Sequence, residues 1–405
     1  MKRSNKEILN LIKKEELRES ETINLIPSEN LMSPLASSMY RYRISNKYLL
    51  PIELKDKVYM PGREYLEEIM QKLTEKISSM YGVKYVTVKG LSGLHQMEII
   101  FMTFADEYKR CIILNPFDGG HSSTEQIAKK QNYSIDYLSI NYGDWDVDLN
   151  KLDLLIQKFH NEKVLIYIDH TIVLKPFDVK KILDRIPEGW ILYYDISHLQ
   201  LFYSVGMFNF PKDDRFFFGG STHKSFPGPQ KAILLTNSER LYNKIKITMN
   251  NCVSSYHTAS ALSLFITLNE MEKYGKEYAK RIIENSQFLA KTLSSKLNVV
   301  GPKDKFTFTH QVCIGVDNVN DLTKRLADYG IITTPMRVPS TNKLGLRLGV
   351  QEITRLGMRR EEMKKISEII IKVALGNEDH NGKRTIRNLA KKFNKVKFSF
   401  KKNED

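Results

Sequence analysis

The sequence predicts an α/β protein, a mostly parallel sheet flanked by helices with a smaller C-terminal α+β domain, on three observations. Short apolar runs recur at 85–88, 111–114, 164–168, 190–194 and 216–218, each followed by a segment of helical spacing. Their near-continuous apolarity is what strands covered on both faces require. At 405 residues the chain also exceeds the usual size of a single core. The expected division is an N-terminal helix and arm over 1–40, a large domain over 41–270 and a small domain over 271–405.

Hydrophobic residues make up 41% of the chain, enough to bury a full core without metal or disulfide support. Cys111, Cys252 and Cys313 lie far apart, lack Cys-x-x-Cys or Cys/His spacing, and predict no metal site. Free thiols fit a reducing cytoplasm, and no apolar run approaches membrane-spanning length, so a soluble, unexported protein without a membrane partner is expected. The formal net charge of +15 comes from lysines spread along the whole chain. It reads as a solvated basic surface rather than a nucleic-acid interface, with an anionic substrate or cofactor as its modest implication.

The elements follow in order. Ile8, Leu9, Ile12 and Leu17 recur at helical spacing and predict an amphipathic N-terminal helix able to pack on a partner subunit. In Ile23-Asn-Leu-Ile-Pro-Ser-Glu-Asn-Leu-Met-Ser-Pro two prolines exclude continuous helix and leave small polar residues, Ser28 among them, for a ligand. Residues 42–65 read as an irregular stretch in which Tyr48 and Tyr65 bracket Glu53. A helix over 66–80 ends before Gly82.

Ligands of open α/β sheets gather at the carboxyl ends of the strands, so the residues after each apolar run matter most. Gly90-Leu-Ser-Gly-Leu carries Ser92 and Gly93, a phosphate cradle ahead of a helix starting near Gln96. Asp118-Gly-Gly-His ends in His121, Asp169-His-Thr in Thr171, and Asp195-Ile-Ser-His in His198. The stretch Phe-Phe-Phe-Gly-Gly-Ser-Thr-His-Lys-Ser-Phe-Pro-Gly-Pro then sets Lys224 on a loop between two buried strands. Desolvation there should lower the pKa of the amine and free it as a nucleophile, although an ordinary turn lysine fits this stretch equally well. Ser254 and Ser255 fall on a connecting loop before a long helix over 259–294. Arg347, alone in Leu344-Gly-Leu-Arg-Leu-Gly, calls for a carboxylate from the protein or from a substrate. In the basic tail, Ile386, Leu389, Ala390 and Phe393 recur at helical spacing and predict a packed final helix.

An amine on a loop, a carboxylate at a strand end, a phosphate cradle and a stackable imidazole together suit pyridoxal phosphate. On this reading Lys224 would form the Schiff base, a strand-end carboxylate would keep the pyridine nitrogen protonated and His121 would stack on the ring. Residues 90–94 with Ser221 and Thr222 hold the phosphate, and Arg347 takes an amino-acid carboxylate.

These residues resemble the serine hydroxymethyltransferase family, within the aspartate-aminotransferase-like, fold type I pyridoxal-phosphate enzymes. The resemblance runs from about Ile23 through the tail. It rests on Ile23-Asn-Leu-Ile-Pro-Ser-Glu-Asn, Asn46-Lys-Tyr, Ser92-Gly, Asp118-Gly-Gly-His, Asp195-Ile-Ser-His, Ser221-Thr-His-Lys, Gly345-Leu-Arg-Leu-Gly and Ile353-Thr-Arg-Leu-Gly-Met. It implies Lys224 as the Schiff-base lysine, Asp195 as the partner of the pyridine nitrogen, His121 as the ring-stacking histidine, and a substrate-carboxylate site of Ser28 and Arg347. Tyr48 and Tyr65 are assigned near the substrate, Tyr48 from the neighbouring subunit of a homodimer with shared sites. Thr171, His198 and His223 fall where family residues touch cofactor or substrate, and Ser254 and Ser255 where the neighbour helps hold the phosphate. The tail resembles the family's closing helix and strand. His121, His223 or Tyr48 is implied as the base for a β-hydroxyl.

Departures cluster on the folate side. The family's catalytic glutamate after Asn-Lys-Tyr is Leu50, residues flanking the folate ring become Pro116 and Ser122, and Gln230 replaces an arginine. The expectation is a pyridoxal-phosphate enzyme acting on the Cα–Cβ bond of a small amino acid, glycine, serine or another β-hydroxy amino acid, with tetrahydrofolate use left open. The competing readings are an aminotransferase, and a cofactor- or RNA-binding homologue without turnover.

Overall fold

Seven strands make the central sheet, ordered Tyr85–Thr87, Ala232–Thr236, Phe216–Ser221, Ile191–Asp195, Val164–Asp169, Arg110–Leu114 and Ser134–Leu138. Ala232–Thr236 runs antiparallel to both neighbours and the other pairings are parallel. This is the mixed, mostly parallel sheet with flanking helices that the apolar runs predict. The computed structural model describes residues 2–50, 60–341, 343–377 and 380–401, and Glu53 lies outside them.

The central strands carry side chains buried on both faces, as in Val164–Asp169, where all six residues are buried. Phe101, Phe104, Tyr167, Tyr193 and Phe217 interlock at ring-centroid separations of 4.7 to 5.5 Å and fill one face of the sheet. Such pairs add to area burial because edge and face of neighbouring rings attract. Ser134–Leu138 was not among the expected strands. It is the sheet's outer edge, where Ile135 and Tyr137 alternate with polar neighbours, and Asp136 is held by Arg110 at 2.7 Å.

Two compact units divide the chain, Ser28–Ala279 with Phe398–Asp405, and Met1–Pro27 with Lys280–Lys397. The second unit has a four-stranded antiparallel sheet, ordered Asn298–Val300, Gln311–Gly315, Lys343–Gly349 and Thr334–Val338. Its last helix, His380–Lys392, buries Gly382, Ile386, Leu389 and Ala390 and leaves its lysines in solvent. The basic tail is therefore a packed helix. No strand follows it among the described residues, in contrast to the closing strand that the resemblance implies: Phe398 takes a left-handed backbone, φ 55°, which breaks an extended run.

Helix ends fall where local chemistry puts them. Ser92 caps Gly93–Phe104 by accepting the His95 N–H at 3.1 Å, which starts that helix three residues before Gln96. Glu64–Tyr81 stops at Gly82, whose φ of 64° ends the helical path.

Candidate active site

The carboxyl ends of the parallel strands bring most of the expected residues to one edge of the central sheet. Residues deeper in the strands are sealed, whereas Ser92, His121, Thr171, Asp195, His223 and Lys224 each keep partial access to solvent. Side chains of that type in that position are what a ligand can reach.

Lys224 lies on the loop after Phe216–Ser221, and the loop is held from several sides. Asn30 Nδ2 donates to the Lys224 carbonyl at 2.9 Å and the Ser225 carbonyl at 3.2 Å, and lies 3.1 Å from the Tyr278 hydroxyl. The Thr222 hydroxyl donates to the Pro229 carbonyl at 2.7 Å, which closes the loop on itself and commits that hydroxyl to the turn. Phe398 packs its ring 5.2 Å from that of Tyr278, and the Phe400 N–H donates to Glu270 at 3.2 Å.

Two carboxyls act on the Lys224 ammonium, those of Asp195 and Asp169. Burial raises the Asp195 carboxyl above its ordinary range, while Lys224 and the Ser197 N–H, 2.8 Å from Oδ1, pull it back. Gly220 faces this carboxyl with a φ of 131°, and a Cβ there would stand 2.4 Å from Ser197 Oγ and 2.8 Å from Asp195 Oδ1. Bare backbone is thus required beside Asp195. His223 is held neutral, its pKa pushed down to about 4 by burial and then by Lys224, and its Nδ1 has no hydrogen-bond partner.

The helix beginning at Gly93 aims its first-turn N–H groups at the same edge. A Cβ on Gly93 would come within 2.4 Å of Ser221 Oγ, so Gly93 and Ser221 are in close approach, with Ser92 capping beside them. His198 is buried. His121 caps the helix Ser122–Lys130, its Nδ1 accepting the Ser123 N–H at 3.2 Å, which fixes the orientation of the ring. The Thr171 N–H donates to Gly119 at 2.8 Å and ties that loop to the turn before His121.

Pyridoxal phosphate fits these residues. Close-packed glycines clear space at a helix N-terminus and beside the Asp195 carboxylate, the Lys224 amine acts on that carboxylate, and His223 Nδ1 has no hydrogen-bond partner.

The remaining expected residues group elsewhere. The Tyr48 hydroxyl donates to the Ser254 carbonyl at 3.0 Å and the Ser255 hydroxyl accepts the Leu49 N–H at 3.0 Å, so these three form one cluster with Tyr48 43% exposed. Tyr65 is 80% exposed. Ser28 sits in a half-buried turn. Arg347 is buried in the sheet of the other unit, where burial lowers its pKa to about 10.

Lys231 is fully buried, and its Nζ has no hydrogen-bond partner; the sequence offered only a strand-start lysine. Burial lowers its pKa from 10.5 to about 7. Between those values the unfolded chain takes up a proton that the folded chain refuses, so stability falls as pH drops through that window and levels off below it. Lys231→Met is expected to stabilise the protein by about 3 kcal/mol at pH 7, shrinking toward pH 10. Denaturant unfolding at the two pH values measures it, and a gain that does not shrink would remove the burial explanation.

Among the described residues no helix is long and apolar enough to cross a membrane, and no group of three or more His, Cys, Asp or Glu could hold a metal.

A family model described as serine hydroxymethyltransferase matches residues 1–370. The chain is similar to the serine hydroxymethyltransferase of Sulfolobus acidocaldarius, 33% identical over 399 residues, covering 95% of this chain and 91% of that protein. It is also similar to that of Pyrobaculum islandicum, 29% identical over 403 residues, covering 96% and 93%. In structure it is similar to an L-threonine transaldolase from Pseudomonas fluorescens, with a TM-score of 0.91 at 23% identity, covering 100% of this chain and 96% of that one. At that identity the likeness is one of fold.

Proposed function

Because the chain belongs to the serine hydroxymethyltransferase family, we propose that it makes or breaks the Cα–Cβ bond of a small amino acid with pyridoxal phosphate held on Lys224. Its fold is that of the fold type I pyridoxal-phosphate enzymes, and it is an enzyme of the transferase or aldolase kind. The observation that carries the assignment to Lys224 is its half-open amine on a clamped loop, acted on by the strand-end carboxyls of Asp195 and Asp169.

When bound, the cofactor supplies an electron sink for the carbanion left at Cα. The protein does the rest. Lys224 would hold the cofactor through its amine. Asp195 would accept a hydrogen bond from the protonated ring nitrogen, and the Ser197 N–H keeps its carboxylate aimed. His121, fixed by its capping bond, would cover the ring, and Ser92, Gly93 and Ser221 would cradle the phosphate, with Thr171, His198 and Thr222 assigned to the lining of the site. His121, His223 and Tyr48 are the candidates for taking the β-hydroxyl proton, His223 being neutral already.

Ser28 and Arg347 are assigned to the substrate carboxylate. Tyr48, Tyr65, Ser254 and Ser255 are assigned to the site of a second copy in a homodimer. The exposure of both tyrosines, and of Ile8, Leu9, Ile12 and Leu17 on the helix Lys2–Ser20, supports that assignment. Free cysteines support a cytoplasmic location. Leu50, Pro116 and Ser122 favour transfer to an aldehyde over transfer to tetrahydrofolate, the kind of reaction named for the Pseudomonas fluorescens protein.

The test is exchange of the glycine α-proton by cofactor-loaded protein with and without tetrahydrofolate. Exchange at the same rate in both is expected. Strong enhancement by folate would return the reaction to hydroxymethyl transfer, and formation of pyridoxamine phosphate would mark an aminotransferase.

A further inference from the structure

Asp169 ends the strand Val164–Asp169, and its Cα is the register partner of the Asp195 Cα on the adjacent parallel strand. In-register residues of neighbouring strands point to the same face of a sheet, so the two carboxyls share one side of this edge. Asp169 is 4% exposed. Its Oδ2 accepts the Thr124 hydroxyl and its Oδ1 accepts the His121 N–H at 3.3 Å. Both partners come from the helix that His121 caps, so one carboxylate ties the His121 turn to the strand beside Asp195.

The groups acting on Asp169 come from every element around it. Asp195 stands on the next strand, Lys224 on its loop, Cys111 on the strand to the other side, and Tyr167 and Tyr193 lie deeper between them. Lys224 is the cation among them. When Asp195 serves a protonated ring nitrogen, the charge of Asp169 is left to act on the nitrogen of Lys224.

We propose that Asp169 is a positioning residue of the lysine site, holding the His121 turn and biasing the Lys224 nitrogen toward its protonated form once the cofactor is attached. The proposal rests on the assignment of Lys224 made above. Burial, and then the charge of Asp195, push the Asp169 carboxyl up to about 7, while Thr124, the His121 N–H and Lys224 pull it down. The charge it lends the site therefore grows as pH rises through neutrality.

Asp169→Asn removes that charge and keeps both hydrogen bonds, because an amide oxygen still accepts from His121 and an amide nitrogen donates to Thr124. In the cofactor-loaded variant the pH midpoint of the visible Schiff-base band is expected to fall by about one unit. Thr124→Val, which weakens the ionised form of Asp169, moves it less and in the same direction. That second variant carries the test if the first folds poorly.

The cofactor-free protein gives an independent readout. Its folded state holds a proton on Asp169 between pH 4 and about 7 that the unfolded chain releases, so stability falls as pH rises through that window. Asp169→Asn should flatten that slope. A band midpoint that stays put in both variants, with cofactor attached normally, overturns the proposal alone. Wild-type protein that forms no Schiff base at Lys224 overturns the assignment of that lysine and this proposal with it.

Discussion

Lys224→Ala is expected to abolish covalent capture of pyridoxal phosphate and to lower turnover by about 10⁴-fold or more, because the amine is the attacking group. The loss should be chemical rather than structural. Asn30 grips the backbone carbonyls of residues 224 and 225, and Thr222 closes the turn on Pro229, so the loop's backbone is held by bonds that a shorter side chain at 224 leaves in place. Borohydride reduction followed by intact mass is the direct measurement, with wild type gaining one cofactor mass and the variant none. A variant that still gains it would move the attachment point to another amine, for which buried, unpaired Lys231 is the obvious alternative.

The second large effect is expected from Asp195→Asn, which should lower turnover by about 10²- to 10³-fold, the usual cost of removing one preorganised charge from a site. The asparagine keeps an oxygen for the Ser197 N–H and fits against Gly220, so the geometry survives while the charge does not. Burial raises the native carboxyl, which means the folded state prefers it protonated. Wild-type apoprotein then loses stability as pH rises above the ordinary carboxylate range, and the variant should be the more stable of the two at pH 8. Steady-state kinetics and unfolding at pH 8 check both halves. Lost activity together with lost stability would mean that Asp195 props up the fold rather than serving the cofactor.

Much of the sheet was legible because its strands are uniform, since residues buried on both faces must be apolar whatever lies beside them. Val164–Asp169 and Phe216–Ser221 announced themselves in this way. Ser134–Leu138 did not, as an edge strand with one partner needs no such run. Lys224, Asp195, His121, Ser92 and Ser221 were legible because each follows an apolar run at a strand's carboxyl end or opens the next helix. Asp169 stood in the same kind of position and was passed over, because its weight comes from its register with Asp195, a pairing set by the sheet order 216–221, 191–195, 164–169. Asn30 was visible only as part of a motif. Its grip on Lys224 spans 194 residues, and no local pattern encodes so distant a hydrogen bond. Lys231 was illegible for a related reason, since a lysine next to a turn is ordinarily solvated.

The clamp on Lys224 also has a bearing on how the protein is made. The lysine loop leans on Asn30, Asn30 on Tyr278, and Tyr278 on Phe398, within the last eight residues of the chain. Both compact units likewise combine early and late segments. During synthesis the N-terminal residues leave the ribosome first, and each unit stays open until its later segment, ending at Lys397 in one and starting at Phe398 in the other, has emerged. The apolar surface of a half-emerged unit must be shielded until then, and a polypeptide cut short before Phe398 would carry the lysine with its support unfinished.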